Sequence, residues 1–379
     1  MHNLQLDKAI FLRDYWQQQP MVIRQGFPGF DDFLDEHDLA GLSELEEVDS
    51  RIIQFHQQQW RIEHGPFEDF EAICQGAWTL LVQGVDRYID EAAELMEAFN
   101  FVPYWRMDDL MISYATPDAG VGPHLDQYDV FLVQGQGRRH WKVGRPGNHE
   151  THFPHPQLAQ VAPFPPVIDV ILEPGDILYI PPGWPHDGVA LDNCLTYSVG
   201  FRAPDQRQLV NALPDIFDEQ NIHNVRYSDA TRQPARHPGR VTQSELSTLK
   251  SMILDALNQP QWEQSVMRLL SDQQLPIQVP ATLIQPQAVV EAVNTGERVC
   301  RMPGCRPLFL DNKDTAGLHF FINAEGFTYA GDNTAPLLSL LVGEPVNNIF
   351  VETYKPDGAF FDLLATLINK GYWELTDNS

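Results

Sequence analysis

Between Asp108 and Phe201 short apolar runs alternate with turn residues: DDLMISYA, YDVFLVQGQGRRHWKVG, PPVIDVILEPGDILYIPPG and NCLTYSVGF. Runs of this length, rich in Val, Ile, Tyr and Phe and broken by Gly and Pro, read as strands of a barrel or sandwich. Glu173-Pro174-Gly175-Asp176 puts Pro and Gly in the central positions of a turn, the type II pattern. Residues 1 to about 100 mix helical and strand signals, and YIDEAAELMEAF reads as an amphipathic helix. From about Pro204 the period becomes helical. In VTQSELSTLKSMILDALNQ, Thr242 and Glu245 form a capping box, and Leu246, Leu249, Ile253, Ala256 and Leu257 make one apolar stripe. Residues 226–240 are polar, carry two prolines and read as a loop. GAFFDLLATLINKGYWEL predicts a helix stopped by Gly371, then a short strand. There is no internal repeat and no low-complexity tract.

At 379 residues two or three domains are expected, and a hydrophobic content of 43% is enough to build their cores. No apolar run approaches the roughly 20 residues of a membrane span. The segment MHNLQLDKAIFLRDYW lacks a basic start followed by an apolar block, so no signal peptide is expected. Four scattered cysteines suit a reducing cytosol, and a cytoplasmic location follows as the expectation. Cys300 and Cys305 make at most half a zinc site, because no second pair lies nearby. The net charge is −27. Such a surface repels nucleic acid and favours basic partners, although it equally serves solubility.

The run GPHLDQYDVFLVQ opens with His124 and Asp126, polar groups at the head of an apolar stretch. Burying them costs free energy unless something pairs with them. In a strand, i and i+2 share a face, so these two project together. His186, in PGDILYIPPGWPHDG, is a third candidate. Two His and one carboxylate can hold one face of an iron(II) ion and leave positions open for substrate and oxygen. Alone, His-x-Asp is a weak signal, and a chance pair on a solvated strand accounts for it better. In the next run Arg138, His140 and Lys142 share one face, and Arg139, Trp141 and Val143 the other. A cation among inward apolar groups needs an anion. The far carboxylate of a dicarboxylate such as 2-oxoglutarate would supply it, with Ser113 adding a hydrogen bond. Pairing with an internal Asp or Glu is the alternative.

The segments HLD, RRHW and PGDILYIPPGWPHDG resemble the JmjC branch of the cupin iron(II)/2-oxoglutarate oxygenases. Within it, DDLMISYATPDAGVGPHLDQYDVFLVQGQGRRHWKVG is similar to the bacterial ribosomal oxygenases. The resemblance implies a mainly β chain with helices, in three parts. These are a double-stranded β-helix of the cupin/JmjC type over 1–205, a helical dimerisation region over 206–272 and a winged-helix-like domain over 273–379. It implies metal ligands at His124, Asp126 and His186. It makes Arg139 the cosubstrate anchor, where many JmjC proteins have Lys, and sets Ser113 beside it. The implied cofactors are iron(II), 2-oxoglutarate and O2. The implied reaction is hydroxylation of an arginine in a basic large-subunit ribosomal protein.

Three rival readings remain at this point. A non-catalytic, metal-stabilised cupin needs no dicarboxylate anchor, so Arg139 and Ser113 tell against it. A zinc isomerase on the same barrel would use more His ligands. A JmjC oxygenase acting on another residue or protein shares the chemistry. Asp118 and Tyr128 are candidate grips for a substrate guanidinium. Tyr104, Trp105, Tyr128 and Trp184 are candidate walls of the mouth, with core packing as the plainer role. His149, His152 and His155 are expected on a loop. The Thr242–Gln259 stripe needs a cover, and a two-fold partner, giving a homodimer, is the simplest one. No direct nucleic-acid contact and no membrane association are expected.

Overall fold

The computed structural model describes residues 3–212, 225–230, 237, 239–310 and 317–376. Its N-terminal half contains β1 (Met21–Ile23), β2 (Ser50–His56), β3 (Gln59–His64), β4 (Ala77–Val82), β5 (Met107–Ala115), β6 (Asp129–Gln134), β7 (Arg139–Gly144), β8 (Thr151–His155), β9 (Leu158–Val161), β10 (Pro166–Leu172), β11 (Ile177–Ile180), β12 (His186–Ala190) and β13 (Cys194–Phe201). An antiparallel sheet runs β1-β11-β6-β13-β5-β4-β2-β3, a second runs β10-β7-β12, and β8 and β9 form a hairpin. The two larger sheets face each other as a double-stranded β-helix, as the sequence pattern and the resemblance led us to expect.

Strand alternation decides what each face does. On β5, Leu110, Ile112 and Tyr114 enter the main core, as do Leu195, Tyr197 and Val199 on β13 and Phe131 and Val133 on β6. Phe11, Leu39, Leu95, Met96 and Phe99 from the N-terminal helical layer close that core. Each such side chain, fully buried, contributes about 1.5–3 kcal/mol. The opposite face looks into the barrel. Val130 and Leu132 of β6 and Leu178 and Ile180 of β11 pack there on Trp141, Val143 and Leu172 of the second sheet. Both faces of β6, β11 and β13 are therefore covered, which is why these strands read as nearly continuous apolar runs.

Local signals in the sequence recur in the fold. Gly175 takes φ 85°, and the Asp176 N–H donates to the Glu173 carbonyl at 2.9 Å, closing the turn before β11. Thr242 caps the Gln243–Leu257 helix: its hydroxyl accepts from the Glu245 N–H, and Glu245 accepts from the Thr242 N–H at 2.6 Å. Gly371 at φ 76° follows the Gly358–Asn369 helix, as a helix stop should. Within the expected 226–240 loop, residues 231–236 and 238 lie outside those described, and 225–230 carry no helix or strand. Residues 213–224 of the region expected to form a dimer lie outside them too.

The C-terminal part has its own core. β14 (Arg298–Arg301), β15 (Leu308–Phe309), β16 (Leu318–Ile322), β17 (Glu325–Tyr329) and β18 (Trp373–Thr376) form two small sheets, β14-β18 and β15-β16-β17. They pack with the helices Pro286–Thr295, Ala335–Leu341 and Gly358–Asn369 around Val289, Val293, Phe320, Leu337, Leu364 and Trp373. The stripe on Gln243–Leu257 stays outside this core. Leu246, Leu249 and Ile253 are 49%, 45% and 54% exposed, so the C-terminal domain does not cover them.

Candidate active site

The barrel encloses a cavity of about 370 Å³. His124, Asp126 and His186 line it, and one donor atom from each lies within 4.8 Å of the other two. The expectation that His124 and Asp126 share a strand needs correcting. The chain is not a strand there until Asp129, and His124 forms an isolated bridge with His186. Main-chain bonds of 2.9 and 3.0 Å join those two residues, and the Gly183 N–H donates to the Asp126 carbonyl at 2.7 Å. Three backbone bonds thus hold an irregular segment extended, and the side chains at 124 and 126 still converge.

Each imidazole is oriented by its own backbone. Nδ1 of His124 donates to the Gly122 carbonyl at 2.9 Å, and Nδ1 of His186 donates to that of Trp184 at 3.0 Å. This tautomer leaves Nε2 as the lone-pair atom on both rings. The two Nε2 atoms stand 3.8 and 3.4 Å from the Asp126 carboxylate. Burial and neighbouring His186 push His124 down to about 4, so it stays neutral at pH 7. Burial alone would raise Asp126, but His186 and His124 beside it hold its carboxyl at about 2. Two imidazole nitrogens and one carboxylate facing a common point make the donor set suited to iron(II) with open positions. Among the described residues this is the one His/Cys/Asp/Glu group so arranged.

Deeper in the barrel, Arg139 on β7 is only 4% exposed. Its guanidinium donates to the Ser113 and Thr196 hydroxyls at 3.3 and 3.4 Å and to the Gly188 carbonyl at 3.3 Å. It lies over the Trp141 ring, 4.9 Å from the centroid. No carboxylate among the described residues pairs with it, and its Nε and the Trp141 indole N–H are buried without partners. Burial lowers its pKa for that reason. No Asp or Glu among the described residues makes a direct ion pair with it, although the Asp187 charge acts on it. A buried cation left with neutral partners and free donors fits a dicarboxylate from outside. Gly188 makes the arrangement possible. It pairs with Trp141 across β12 and β7, and a Cβ there would sit 2.6 Å from the indole.

The other candidates separate. Tyr128 lines the cavity with its hydroxyl against Asp126. Asp118 does not line it. This residue has φ 65° in a turn, its N–H bound to the Ala190 carbonyl, which is the turn-forming role of Asp. Nor do Tyr104, Trp105 and Trp184 wall the cavity. Tyr104 bonds Glu97 near the C-terminal domain, Trp105 stacks under Arg106, and Trp184 packs on the second sheet. His152 and His155 fall on the exposed strand β8 rather than a loop, and His149 binds the Arg145 carbonyl. Cys300 and Cys305 are free and, among the described residues, join no metal-binding group.

Sequence reasoning missed Asp109 and Met111. Both line the cavity from β5, on the same face as Ser113. The i, i+2 rule applied backwards from Ser113 would have found them. Asp109 accepts a 2.9 Å bond from the Gly84 N–H. Burial, with Asp86 and Asp108 adding repulsion, raises its carboxyl to about 7.

A barrel whose buried face brings a His/Asp/His set together with an unpaired cation defines a 2-oxoglutarate oxygenase. Residues 94–209 match the family model of the JmjC domain, and residues 255–374 that of the ROXA-like winged helix. The chain is 40% identical over 375 residues to the ribosomal protein uL16 3-hydroxylase of Escherichia coli (strain K12), covering 98% of each chain. It is 32% identical over 331 residues to a probable ribosomal oxygenase of Haemophilus influenzae, covering 83% of this chain and 81% of that one. The X-ray structure of E. coli ycfD superposes with a TM-score of 0.91 at 39% identity, over 99% of this chain and 100% of that one. The E. coli YcfD complex with cobalt and 2-oxoglutarate gives 0.87 at 38% identity, over 99% of each chain. The chain belongs to the bacterial ribosomal oxygenases of the JmjC class. The His124, Asp126 and His186 group and the JmjC domain fit iron(II), 2-oxoglutarate and O2 as cofactor and cosubstrates. Among the described residues no helix is long and apolar enough to cross a membrane.

Proposed function

We propose that this chain hydroxylates an arginine side chain of the large-subunit ribosomal protein uL16 at C3. In this reading His124, Asp126 and His186 hold iron(II), and Arg139 with Ser113 holds the far carboxylate of 2-oxoglutarate. The observation that carries it is similarity along the whole length to a protein named a uL16 3-hydroxylase. Iron(II) held by His124, Asp126 and His186 would supply the oxidative chemistry, in which decarboxylation of 2-oxoglutarate accompanies insertion of one atom of O2 into an unactivated C–H bond. The protein does the rest. Arg139, pinned by Ser113, Thr196 and the Gly188 carbonyl, fixes one end of the cosubstrate and so aims the 2-oxo acid at the triad. Trp141 and the apolar layer around it keep water from that end.

C3 is the carbon next to the main chain, so hydroxylation there leaves the guanidinium well beyond the reacting atom. An acid that receives it must stand away from the metal. Asp109 is four strand residues from Ser113, about 13 Å along β5. We take Asp109 as the grip, with Tyr128 lining the same cavity. A carboxyl that titrates near 7 gives the sign of a pH effect. The ionised form pairs with a guanidinium, so KM for a uL16 arginine peptide should fall as pH rises through about 7 and level off above it. Asp86, Asp108, Arg87 and the Gly84 N–H face this carboxyl. In Asp109→Asn the KM should be higher and flat across that range. A wild-type KM independent of pH from 6 to 8 would remove Asp109 from the site.

The substrate is basic and the enzyme carries a net charge of −27, which favours capture. A finished ribosome buries much of such a protein, so the free protein or an assembly intermediate is the expected target, in the cytoplasm. Mass spectrometry of large-subunit proteins from cells with and without this enzyme tests the reading. An added oxygen atom on one arginine of uL16, lost in the deletion, is the expected result. Another modified protein, or no change, overturns the assignment.

The exposed stripe of Leu246, Leu249 and Ile253 supports a homodimer, because apolar side chains in one line outside any core call for a cover. Light scattering should give twice the chain mass at micromolar concentration, and Leu249→Glu with Ile253→Glu should shift it to the monomer mass. A monomeric wild type rejects the dimer.

A further inference from the structure

The winged-helix domain reaches the rim of the active site through one side chain. Arg306, in the turn region between β14 and β15, is buried, and its guanidinium pairs with the fully buried Asp86 carboxylate. It also donates to the Asp108 carbonyl at 3.1 Å. Gln273 clamps its main chain, donating to the Arg306 carbonyl at 2.7 Å and accepting from the Arg306 N–H at 3.1 Å.

What Arg306 holds is the start of β5. Asp86 sits in the short turn Val85–Arg87 and accepts from the Leu110 N–H at 2.8 Å. Asp109 accepts from the Gly84 N–H in return. These two carboxylates cross-brace the turn and the strand, and Arg306 locks the brace from the side of the other domain. The packing there is at backbone distance. Gly304 lies so close that a Cβ would be 3.1 Å from Cα of Arg87 and 3.2 Å from the Asp86 carbonyl. A second link, Arg301 with Glu97 at 2.6 Å, lies nearby and touches no cavity residue.

We propose that Arg306 is a positioning residue for the substrate mouth. By holding Asp86 and the Asp108 carbonyl, the winged-helix domain keeps Asp109 where a basic substrate side chain can meet it. This rests on the reading of Asp109 as the guanidinium grip. The domain is then part of how the enzyme recognises its substrate, although none of its described residues lines the cavity. Arg306 is also separated from the cosubstrate end, because the brace acts at Asp109 and not at Ser113 or Arg139. A residue that merely stabilises the fold would not make that distinction.

The test uses the full-length iron-loaded enzyme, a uL16 arginine peptide and 2-oxoglutarate. Arg306→Gln should raise KM for the peptide roughly tenfold, the equivalent of about 1.4 kcal/mol. The 2-oxoglutarate constant and the peptide-independent release of succinate should stay within about twofold of wild type. Arg306→Lys keeps the charge but loses the planar fork, and should recover most of the peptide KM. If the Gln variant does not fold, Arg306→Met replaces it, with the same expected rise in peptide KM. Peptide KM unchanged in whichever of the Gln and Met variants folds overturns the proposal. So does a loss shared equally by peptide turnover, the 2-oxoglutarate constant and succinate release, because that is a structural effect. Asp109→Asn measured alongside keeps the two ideas apart. No change there fails the grip itself and the proposal with it; a raised KM there with none in the Arg306 variants fails the proposal alone.

Discussion

Purified His186→Ala is expected to retain less than about 1% of wild-type turnover while keeping its fold. The same result is expected for His124→Ala and Asp126→Ala. Losing only a hydrogen-bond partner of a metal ligand typically costs roughly 10–100-fold, and losing the ligand itself costs more. The fold should survive for a specific reason. The pairing that holds residue 124 to residue 186 is made by main-chain N–H and C=O groups, which remain after the side chains are cut back. The Asp126 carbonyl likewise keeps its bond from Gly183. The thermal transition of the metal-free protein should therefore move little, while calorimetric titration with iron(II) or cobalt(II) should show binding strongly weakened. Full activity in any one of the three purified variants would end the ligand assignment.

Replacing Arg139 should move affinity and stability in opposite directions. On the proposed role of Arg139, Arg139→Ala would remove a buried, charge-assisted contact with 2-oxoglutarate worth about 2–5 kcal/mol. The cosubstrate requirement should then rise by about 30-fold or more, at roughly tenfold per 1.4 kcal/mol. Arg139→Lys should be milder but not neutral, because an ammonium cannot form the planar fork. The free protein tells a different story. With no direct ion pair to a carboxylate among the described residues, the wild-type guanidinium bears a desolvation cost that the Asp187 charge offsets only in part. Arg139→Met fills similar space without the charge, so the cosubstrate-free variant should melt at or above the wild-type temperature. Adding 2-oxoglutarate with metal should stabilise wild type and not the variant, since a ligand stabilises only the state that binds it. Equal 2-oxoglutarate constants for wild type and Arg139→Ala would place the anchor elsewhere.

Much of this was legible before any coordinates. The strands, the type II turn at Pro174-Gly175, the Thr242/Glu245 capping box and the stop at Gly371 follow from rules spanning a few residues. So does the inward direction of Arg139, because strand parity needs only its neighbours Trp141 and Val143. His124, Asp126 and His186 were found as residue types at spacings that suit a metal, and by resemblance. The fold then assembled them by a route other than the expected strand. What local rules cannot reach is which strand lies beside which, and in what register. That alone sets Ser113 and Thr196 against Arg139 and leaves Gly188 under Trp141. The missing counter-ion of Arg139 is likewise a property of every neighbour at once, and no segment contains it.

Side chains with two plausible roles were also divided by tertiary structure. Asp118 and Asp109 are both acids close to His124 and Asp126 in sequence. A left-handed turn takes the first away from the cavity, and the parity of β5 turns the second into it. The link from Arg306 to Asp86 joins residues 220 apart in the chain. The sequence by itself determined the elements, their faces and the chemical kinds of group available, because helix and strand periods and turn geometry are local. Only the tertiary structure decided which of those groups meet, because the barrel closes through pairings between distant strands and its interior selects partners by space and charge.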